Sequence, residues 1–277
     1  MKQPLRPVLV TDLFPELLER LLSLLAGLPP SSWALPTACT GWLVHDVALH
    51  LLGDDLGLLS RRRDGHRLPS PPVEDWDSLV ALINRLNAGW LSAARRISPP
   101  LTIDLLRFSG EQVNELFRSL DPFSMGGPVS WAGPEPAPVW LDVAREYTER
   151  WHHQQHIREA VGKPGMSSPR YLKPVLETFL RALPHSLRAE RAAEGACLHL
   201  AIRGPAGGSY CLERQSAAWA LFTNCQASPL ASVTIGEDDA WRLFTKGLSP
   251  DQVRGGVQLS GDESMAQRVL QAVAIIA

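Results

Sequence analysis

The spacing of apolar residues changes once along the chain, near residue 194, and this change limits the folds that the chain can adopt. Before it, apolar residues recur every three to four positions in long runs, which is typical of amphipathic helices. After Gly195 the runs become short and are separated by Gly, Pro, Asn and Ser, which predicts strands. The sequence therefore predicts an α+β protein, with a helical domain at residues 1–194 and a smaller α+β domain at residues 195–277.

Prolines and glycines mark the ends of most predicted helices in the first domain. The helices are expected at residues 12–26, 40–63, 75–97, 101–120 or 109–120 with a break at Gly110, 139–161, and 169–193. Asp75 is a predicted N-cap. Residues 121–138 contain five prolines and three glycines, so they are predicted to form an irregular loop that serves as a lid or a pocket wall.

The second domain is predicted to mix short strands with two helices. Strands are expected at residues 196–203, 209–214, 218–223, 231–235 and 257–259, and helices at residues 238–246 and 262–276. This alternation is compatible with a small sheet covered by helices.

Charge and hydropathy argue against two classes of partner. The net charge is -2, and a nucleic-acid-binding protein usually has a basic stripe instead. The first apolar stretch, residues 13–28, is interrupted by Pro15, Glu16, Glu19 and Arg20, so it resembles neither a signal peptide nor a membrane span. We therefore predict a cytoplasmic protein without a nucleic-acid or membrane partner.

The cysteines show no metal-binding or disulfide spacing. The chain has four of them, Cys39, Cys197, Cys211 and Cys225, and no pair has the Cys-x-x-Cys spacing. In a reducing compartment they are expected to be free and mostly buried thiols. Cys39 lies just before the second helix, and a structural role is favoured for it, the alternative being a position near the site.

Residues 149–158 concentrate the side chains that are most suited to metal binding or proton transfer. Glu149, His152, His153 and His156 fall within eight residues of a predicted helix. At about 100° of turn per residue, Glu149, His153 and His156 point to the same side. The alternative is a solvated helix face with a surface Glu–His pair. Carboxylate and imidazole suit zinc and similar cations, but a further ligand has to come from elsewhere in the chain.

The second predicted helix offers that ligand. Asp46, His50 and Asp54 are each four residues apart, so they form a polar row on an otherwise apolar helix. A buried polar group without a partner costs about 1–3 kcal/mol. His50 is therefore the predicted third ligand, the alternative being a core histidine bonded to a backbone carbonyl. His45 lies on a different face, where a solvated side chain is expected.

Several stretches of the chain match one family. They are residues 36–42 (Pro-Thr-Ala-Cys-Thr-Gly-Trp), 46–51 (Asp-Val-Ala-Leu-His-Leu) and 149–158, with weaker matches at residues 243–246 and 259–262. Over nearly its whole length the chain resembles the mycothiol-dependent maleylpyruvate isomerase family. The resemblance implies a DinB-like antiparallel four-helix bundle that binds metal, followed by a small sterol-carrier-like α+β domain.

The same resemblance implies the site residues. The family's metal ligands correspond to His50, Glu149 and His153. His156 stands where many members are expected to have aspartate, which indicates an additional ligand, a residue that orients a ligand, or a different substrate. Three protein ligands leave the open position that a catalytic zinc requires. Asp46 and Asp54 are candidates for orienting a ligand imidazole through its other nitrogen.

These residues suggest an enzyme that activates a thiol. A divalent metal, expected to be zinc, binds the sulfur of a low-molecular-weight thiol and lowers its pKa. The sulfur then adds to an electrophilic organic substrate, giving transfer, or cis–trans isomerisation if the thiol is later expelled. The resemblance implies mycothiol, with bacillithiol as the alternative thiol. Arg158 is predicted to bind a carboxylate of the thiol or the substrate, the alternative being a surface ion pair.

Two other functions stay open at this point. One is a metal-dependent hydrolase, in which His156 or Glu149 is the general base for a water molecule. The other is a non-enzymatic, metal-stabilised protein that binds a ligand or lipid in its second domain. Family membership alone does not identify the electrophile. Both a monomer and a homodimer are compatible with the sequence.

Overall fold

The computed structural model describes residues 2–69, 71–253 and 256–275, which form two compact units. Among these residues, 10–121 and 146–166 make the helical unit, and 2–9, 122–145 and 167–275 make the sheet unit. The predicted α+β class is confirmed. The domain boundary near residue 194 stays a prediction: it marks the change from helices to strands, whereas the two units follow packing and are discontinuous in sequence.

The helical unit is built around a core shared by four helices. Its elements are α1 (Phe14–Ala26), α2 (Val44–Leu58, continued by the π-helical turn Leu59–Arg63), α3 (Trp76–Ala94), α4 (Pro99–Ser119) and, from Glu146 onward, α5 (Val139–Ala160). Leucines of α1, apolar residues of α2, Leu106 of α4 and Ile157 of α5 form the core. α3 packs on α2 through Leu91 and Ala94. Each fully buried leucine contributes about 1.5–3 kcal/mol, so this core positions α2 and α5.

α2 begins at Val44, so the predicted start at Thr40 or Gly41 was wrong. Gly41 has a φ of 79°, which no helical residue adopts. Leu43 is extended, and its N–H donates to the Asp46 carboxylate at 3.0 Å. The chain before Val44 is therefore held outside the helix by local backbone geometry and by this cap.

Two glycines mark close approaches between helices. The predicted break at Gly110 is wrong, because α4 continues through it. A Cβ at Gly110 would lie 2.7 Å from Leu18 Cδ1 of α1. On α2, a Cβ at Gly53 would lie 2.5 Å from Nε1 of Trp90, whose indole N–H donates to the Leu49 carbonyl at 2.7 Å. Both glycines serve helix packing and not chain flexibility.

The sheet unit has a six-stranded sheet made of β1 (Gln3–Pro4), β4 (Cys197–Arg203), β5 (Gly208–Arg214), β6 (Trp219–Thr223), β7 (Ala231–Gly236) and β8 (Gln258–Gly261). The strand order is β1-β6-β5-β4-β7-β8. β4 and β7 are parallel, and the other neighbours are antiparallel. The predicted strands are confirmed, while β1 was missed because its two residues carry no alternation pattern.

The remaining elements of the sheet unit correct three predictions. The segment predicted as an irregular loop contains a hairpin of β2 (Met125–Pro128) and β3 (Pro136–Pro138). The helix predicted at residues 169–193 is split into α6 (Pro169–Phe179), a 3₁₀ turn and α7 (Leu183–Ser186). α8 (Glu237–Phe244) and α9 (Pro250–Val253) follow. The closing helix, predicted at residues 262–276, is shorter: α10 (Glu263–Leu270) ends before the described residues 271–275, and Ile276 lies outside the described residues. Across residues 2–69, 71–253 and 256–275, none of the helices has both the length and the apolar character to cross a membrane.

The predicted free thiols are confirmed for only two of the four cysteines. Cys39 and Cys197 are free. Cys211 and Cys225 form a disulfide, with Cα atoms 5.0 Å apart. Antiparallel pairing of β5 with β6 brings these residues together, and a separation of 14 residues in sequence does not reveal that register.

Candidate metal centre

The structure brings together the three residues that were predicted as metal ligands. Glu149 and His153 are four residues apart on α5, and Glu149 Oε1 lies 2.9 Å from His153 Nε2. His50 of α2 points its Nε2 at the same oxygen, at 3.2 Å. The three donor atoms lie within 4.8 Å of one another. Both histidines are buried, whereas 27% of the Glu149 side chain is exposed. The role of these residues as ligands stays a prediction.

The donor set fits a divalent cation of the zinc type. A tetrahedral ion with bonds of about 2.0–2.1 Å holds neighbouring donor atoms roughly 3.3 Å apart. The distances of 3.2 Å and 2.9 Å from Glu149 Oε1 to the two imidazole nitrogens are close to that value. Two imidazoles and one carboxylate are also donors that zinc accepts, and they leave room for one more ligand.

The electrostatics of Glu149 and His153 agree with this fit, whereas the pKa of His50 is raised, which favours the protonated ring that cannot bind a metal. Burial acts to raise the pKa of Glu149, but His153 and His50 outweigh it and hold the pKa well below its ordinary value. Burial lowers the pKa of His153, and Glu149 only partly offsets this. Burial also acts to lower the pKa of His50, but Asp54 and Glu149 raise it overall. An ionised carboxylate and a neutral His153 imidazole are the protonation states that a metal requires.

Asp54 and Glu149 both lie beside Nε2 of His50, which differs from the expected arrangement. Asp54 Oδ2 is 3.2 Å from His50 Nε2, whereas a residue that orients the ring was expected at the other nitrogen. Burial and the nearby Glu149 and Glu146 raise the pKa of Asp54 to about 7, although His50 opposes this. Asp54 is therefore placed as a carboxyl group on the Nε2 side of the His50 ring, where Glu149 also lies.

Asp46 makes its contacts at the start of α2. One oxygen accepts from Arg95 Nε at 2.8 Å, and the other accepts from Leu43 N–H at 3.0 Å and Arg95 Nη2 at 3.1 Å. The carboxylate is buried while Arg95 is largely exposed. The structure thus places Asp46 as a helix cap and not beside the ring of His50.

This cap leads to a prediction about pH and stability. Replacing Asp46 with asparagine is expected to lower the free energy of unfolding at pH 7 by about 1–2 kcal/mol. Burial acts to raise the pKa of Asp46, but the bonds from Arg95 and Leu43 lower it overall. The folded pKa lies below the unfolded one, so the stabilisation is present above the ordinary value of 3.8 and is lost as the pH falls through the folded value.

Urea denaturation at pH 7 and pH 3 measures this effect. The difference between wild type and Asp46→Asn should narrow at pH 3, and the exposed Asp104 of α4 provides a control variant, Asp104→Asn, with little effect at either pH. A difference that is equally large at both pH values would contradict the prediction.

His156 lies on the opposite side of His153 from Glu149, next to a cysteine. Cys39 Sγ is 3.0 Å from His156 Nδ1 and 3.8 Å from His153 Nδ1. The His152 ring packs edge-on against His156, with centroids 4.1 Å apart. Sequence reasoning connected His156 with the metal and considered a position near the site for Cys39, but it favoured a structural role for that cysteine. The position of Cys39 just before α2 was the one available signal for this contact.

Trp42 is a further residue of the site that sequence reasoning missed. Its half-buried ring lies 4.9 Å from the His50 ring and is stacked on His153 at 6.1 Å, measured between centroids. An aromatic wall against both imidazoles restricts their rotation. Trp42 therefore helps to hold the two nitrogen donors in position.

Arg150 connects α2 and α5 through a buried network. Its Nη2 is 2.7 Å from Asp55 Oδ1, and its Nη1 is 2.6 Å from Glu146 Oε2. Ser109 of α4 donates to the other oxygen of Asp55 at 2.8 Å. This network fixes the two helices that carry the candidate ligands, and no sequence pattern indicated it.

Arg158 has its described hydrogen bonds away from the three candidate ligands. Its Nε and Nη2 donate to Gln154 Oε1 at 3.2 Å and 3.0 Å, and its Nη1 donates to the Pro164 carbonyl at 3.2 Å. Burial, together with Arg20, lowers its pKa. Its predicted role in binding a carboxylate stays a prediction.

The fold and the site together define a class of proteins: helical bundles with a candidate divalent-metal centre on two neighbouring helices. Within this class, the chain belongs to the family of the mycothiol maleylpyruvate isomerase N-terminal domain, whose model matches residues 14–158. That range is more than half of the chain and includes His50, Glu149 and His153. The resemblance inferred from the sequence motifs is confirmed.

Solved structures show the same fold over most of the chain. A crystal structure of a histidine-to-alanine mutant of the mycothiol-dependent maleylpyruvate isomerase matches with a TM-score of 0.54 and 12% identity, covering 90% of this chain and 91% of that one. A second structure of that isomerase has a TM-score of 0.52 and 14% identity, with the same coverage. Sterol Carrier Protein 2 Like 2 from Aedes aegypti covers 35% of this chain and 95% of its own, at 19% identity and a TM-score of 0.28. No curated protein is significantly similar in sequence.

Proposed function

We propose that the protein is a thiol-dependent enzyme whose centre is a divalent metal held by His50, Glu149 and His153. Its substrates are a low-molecular-weight thiol, mycothiol first and bacillithiol as the alternative, and an electrophilic organic molecule. One observation carries the proposal: two buried imidazoles and a carboxylate from α2 and α5 converge within 4.8 Å. Membership of a family that is named for a mycothiol-dependent isomerase supports the choice of thiol.

The chemistry divides between the metal and the residues around it. A cation of the zinc type, when bound, supplies a Lewis acid that lowers the pKa of a thiol. Glu149 is ionised and offsets part of the cation's charge. Trp42 restricts the rings of His50 and His153. Asp54 Oδ2 lies 3.2 Å from His50 Nε2 and 31% of its side chain is exposed, so this carboxylate can pass the proton that the thiol loses on to solvent.

The fate of the sulfur separates the two reactions that such a centre supports. The thiolate forms a carbon–sulfur bond with an electrophilic carbon of a conjugated substrate, and the electron pair of the double bond moves onto the adjoining acceptor group. If a proton then adds, the thiol is transferred. If the carbon–sulfur bond breaks after rotation about the former double bond, the thiol is regenerated and the substrate is isomerised. A cytoplasmic location, where small thiols are kept reduced, belongs to the same proposal, and Cys211 and Cys225 are then expected to be a pair of neighbouring thiols in the cell.

Binding of the thiol provides the test of this function. Mycothiol titrated into the zinc-loaded protein is expected to bind with release of about one proton at pH 7, because a metal binds the deprotonated sulfur. Calorimetry in two buffers with different ionisation enthalpies measures the proton count. S-methylated mycothiol is the control, since it has no proton to lose.

Two results would contradict the proposal. The absence of thiol binding to the metal-loaded protein would favour the hydrolase or the ligand-binding protein that the sequence left open. Equal binding of mycothiol and its S-methylated form, without proton release, would place the thiol away from the metal.

A further inference from the structure

A second group of metal-type donors lies on the other side of the His153 ring. Cys39 Sγ is 3.0 Å from His156 Nδ1 and 3.8 Å from His153 Nδ1, and the three residues can place one donor atom each within 4.8 Å of one another. His153 and His156 are buried and three residues apart on one face of α5, whereas Cys39 is half-buried in the loop before α2. This group uses a sulfur donor that the first centre lacks.

The distances fit a cation held by one sulfur and two nitrogens. Zinc–sulfur bonds of about 2.3 Å and zinc–nitrogen bonds of about 2.0–2.1 Å place tetrahedral neighbours roughly 3.5 Å apart. The two observed sulfur–nitrogen distances, 3.0 Å and 3.8 Å, lie on either side of that value. Small side-chain rotations would therefore bring both nitrogens to the bonding distance.

The two groups of donors meet at His153 without sharing an atom. His153 directs Nε2 to Glu149 at 2.9 Å and Nδ1 to Cys39 at 3.8 Å. We propose that Cys39, His153 and His156 form a second metal site for a thiophilic cation of the zinc type. The two sites are separated by a single imidazole ring. This site does not rest on the proposed function, because Cys39 and His156 take no part in the first centre.

The arrangement favours chelation over a cysteine nucleophile. A nucleophilic cysteine needs one neighbouring base, which a third residue orients. Here two imidazole nitrogens face the same sulfur, and three donors around one point are what a metal site requires. A neutral imidazole has one unprotonated nitrogen, so a cation at each nitrogen of His153 requires the ring to lose its remaining proton, and filling one site should therefore weaken the other. Burial raises the pKa of Cys39 to about 12, so this thiol gives up its proton to solvent when it binds a cation, and the resulting thiolate offsets part of the cation's charge.

Cobalt(II) is the probe that distinguishes this site from the first. A cobalt ion bound to a thiolate has an intense sulfur-to-cobalt charge-transfer band in the near ultraviolet, which imidazole and carboxylate ligands do not produce. Cobalt added to the metal-free wild-type protein is expected to produce this band. Both Cys39→Ser and His156→Gln should lose it. Cys197→Ser, which removes the other free thiol of the described residues, should keep it.

Variants of the first centre separate this proposal from the proposed function. His50→Ala is expected to keep the charge-transfer band while losing thiol binding, and Cys39→Ser should lose the band while keeping zinc and thiol binding at the first centre. Circular dichroism confirms that each variant is folded. A wild-type protein without the band, or a band that survives in Cys39→Ser, would overturn the second site whatever the outcome at the first.

Discussion

Replacing His50 with alanine is expected to lower thiol-dependent turnover by more than about 100-fold. Loss of a residue that only orients a ligand commonly costs about 10–100-fold in metal affinity or activity, so loss of a ligand should cost at least as much. His50 is the imidazole that α2 contributes to the first centre, at 3.2 Å from Glu149 Oε1. Its removal leaves only Glu149 and His153 on α5, and two protein ligands hold zinc poorly.

Metal content and turnover measure this effect together. Metal analysis should find about one equivalent of zinc per chain fewer in His50→Ala than in the wild type, because the second proposed site does not use His50. Turnover is measured with mycothiol and a panel of conjugated carbonyl electrophiles that begins with maleylpyruvate. A His50→Ala variant that retains this cation and its rate would show that the ligand assignment is wrong.

His45 provides the matched control on the same helix. It was expected to be solvated, but it is half-buried: its ring packs edge-on against Trp33, and its Nε2 is 3.3 Å from Thr102 Oγ1. These contacts lie apart from the candidate ligands. His45→Ala should therefore lose some stability while keeping the metal and the turnover. If His45→Ala lost both to the same degree as His50→Ala, the effect would come from general damage to α2.

Replacing Arg150 with methionine is expected to lower the free energy of unfolding by about 3–5 kcal/mol. The guanidinium is paired with Asp55 and Glu146, and all three side chains are nearly buried, with 13%, 5% and 7% of their surfaces exposed. Removing the cation leaves two carboxylates in the interior without a counter-charge. Methionine keeps most of the volume, so the loss of charge dominates over the loss of packing. Urea denaturation at pH 7 measures the change.

Arg145 on the same helix is the control for this variant. It pairs with Asp142 at 2.8 Å, but both side chains are partly exposed, at 31% and 24%. A partly exposed pair contributes about 0–1 kcal/mol, so Arg145→Met should have a small effect. Equal losses in Arg145→Met and Arg150→Met would contradict the importance of the buried network.

The cost of Arg150→Met should also depend on pH. Burial raises the pKa of Asp55 even with Arg150 in place, although Arg150 and Ser109 oppose the shift. Without Arg150 the folded-state pKa of Asp55 should lie still further above the unfolded-state pKa. This group therefore favours folding less as the pH increases. The difference from wild type should therefore shrink as the pH falls and the carboxyl groups become protonated. Denaturation at pH 5 and pH 7 tests the sign.

Local sequence patterns were sufficient to predict the helices and caps that depend on residues close together in the chain. The apolar period predicted α1 and α2, Gly162 and Pro164 marked the end of α5, and Asp75 was correctly predicted as the cap of α3, where its carboxylate accepts from Ser78 N–H at 2.8 Å. Glu149 and His153 are one helical turn apart, so their contact follows from helix geometry alone. The predictions were wrong where packing overrides helix propensity. Gly110 was predicted to break its helix, but α4 continues through it, and the close approach of α1 explains the glycine.

Sequence patterns alone were enough for the α+β class, for the helical spacing of Glu149 and His153, and, through the polar row on the second helix and the family resemblance, for His50 as their partner. The tertiary structure was needed for contacts between residues far apart in the chain. Cys39 and His156 are 117 positions apart, and the Cys211–Cys225 disulfide depends on strand register. Short-range patterns follow from backbone geometry, whereas these contacts depend on how the helices and strands pack, to which many distant residues contribute at once.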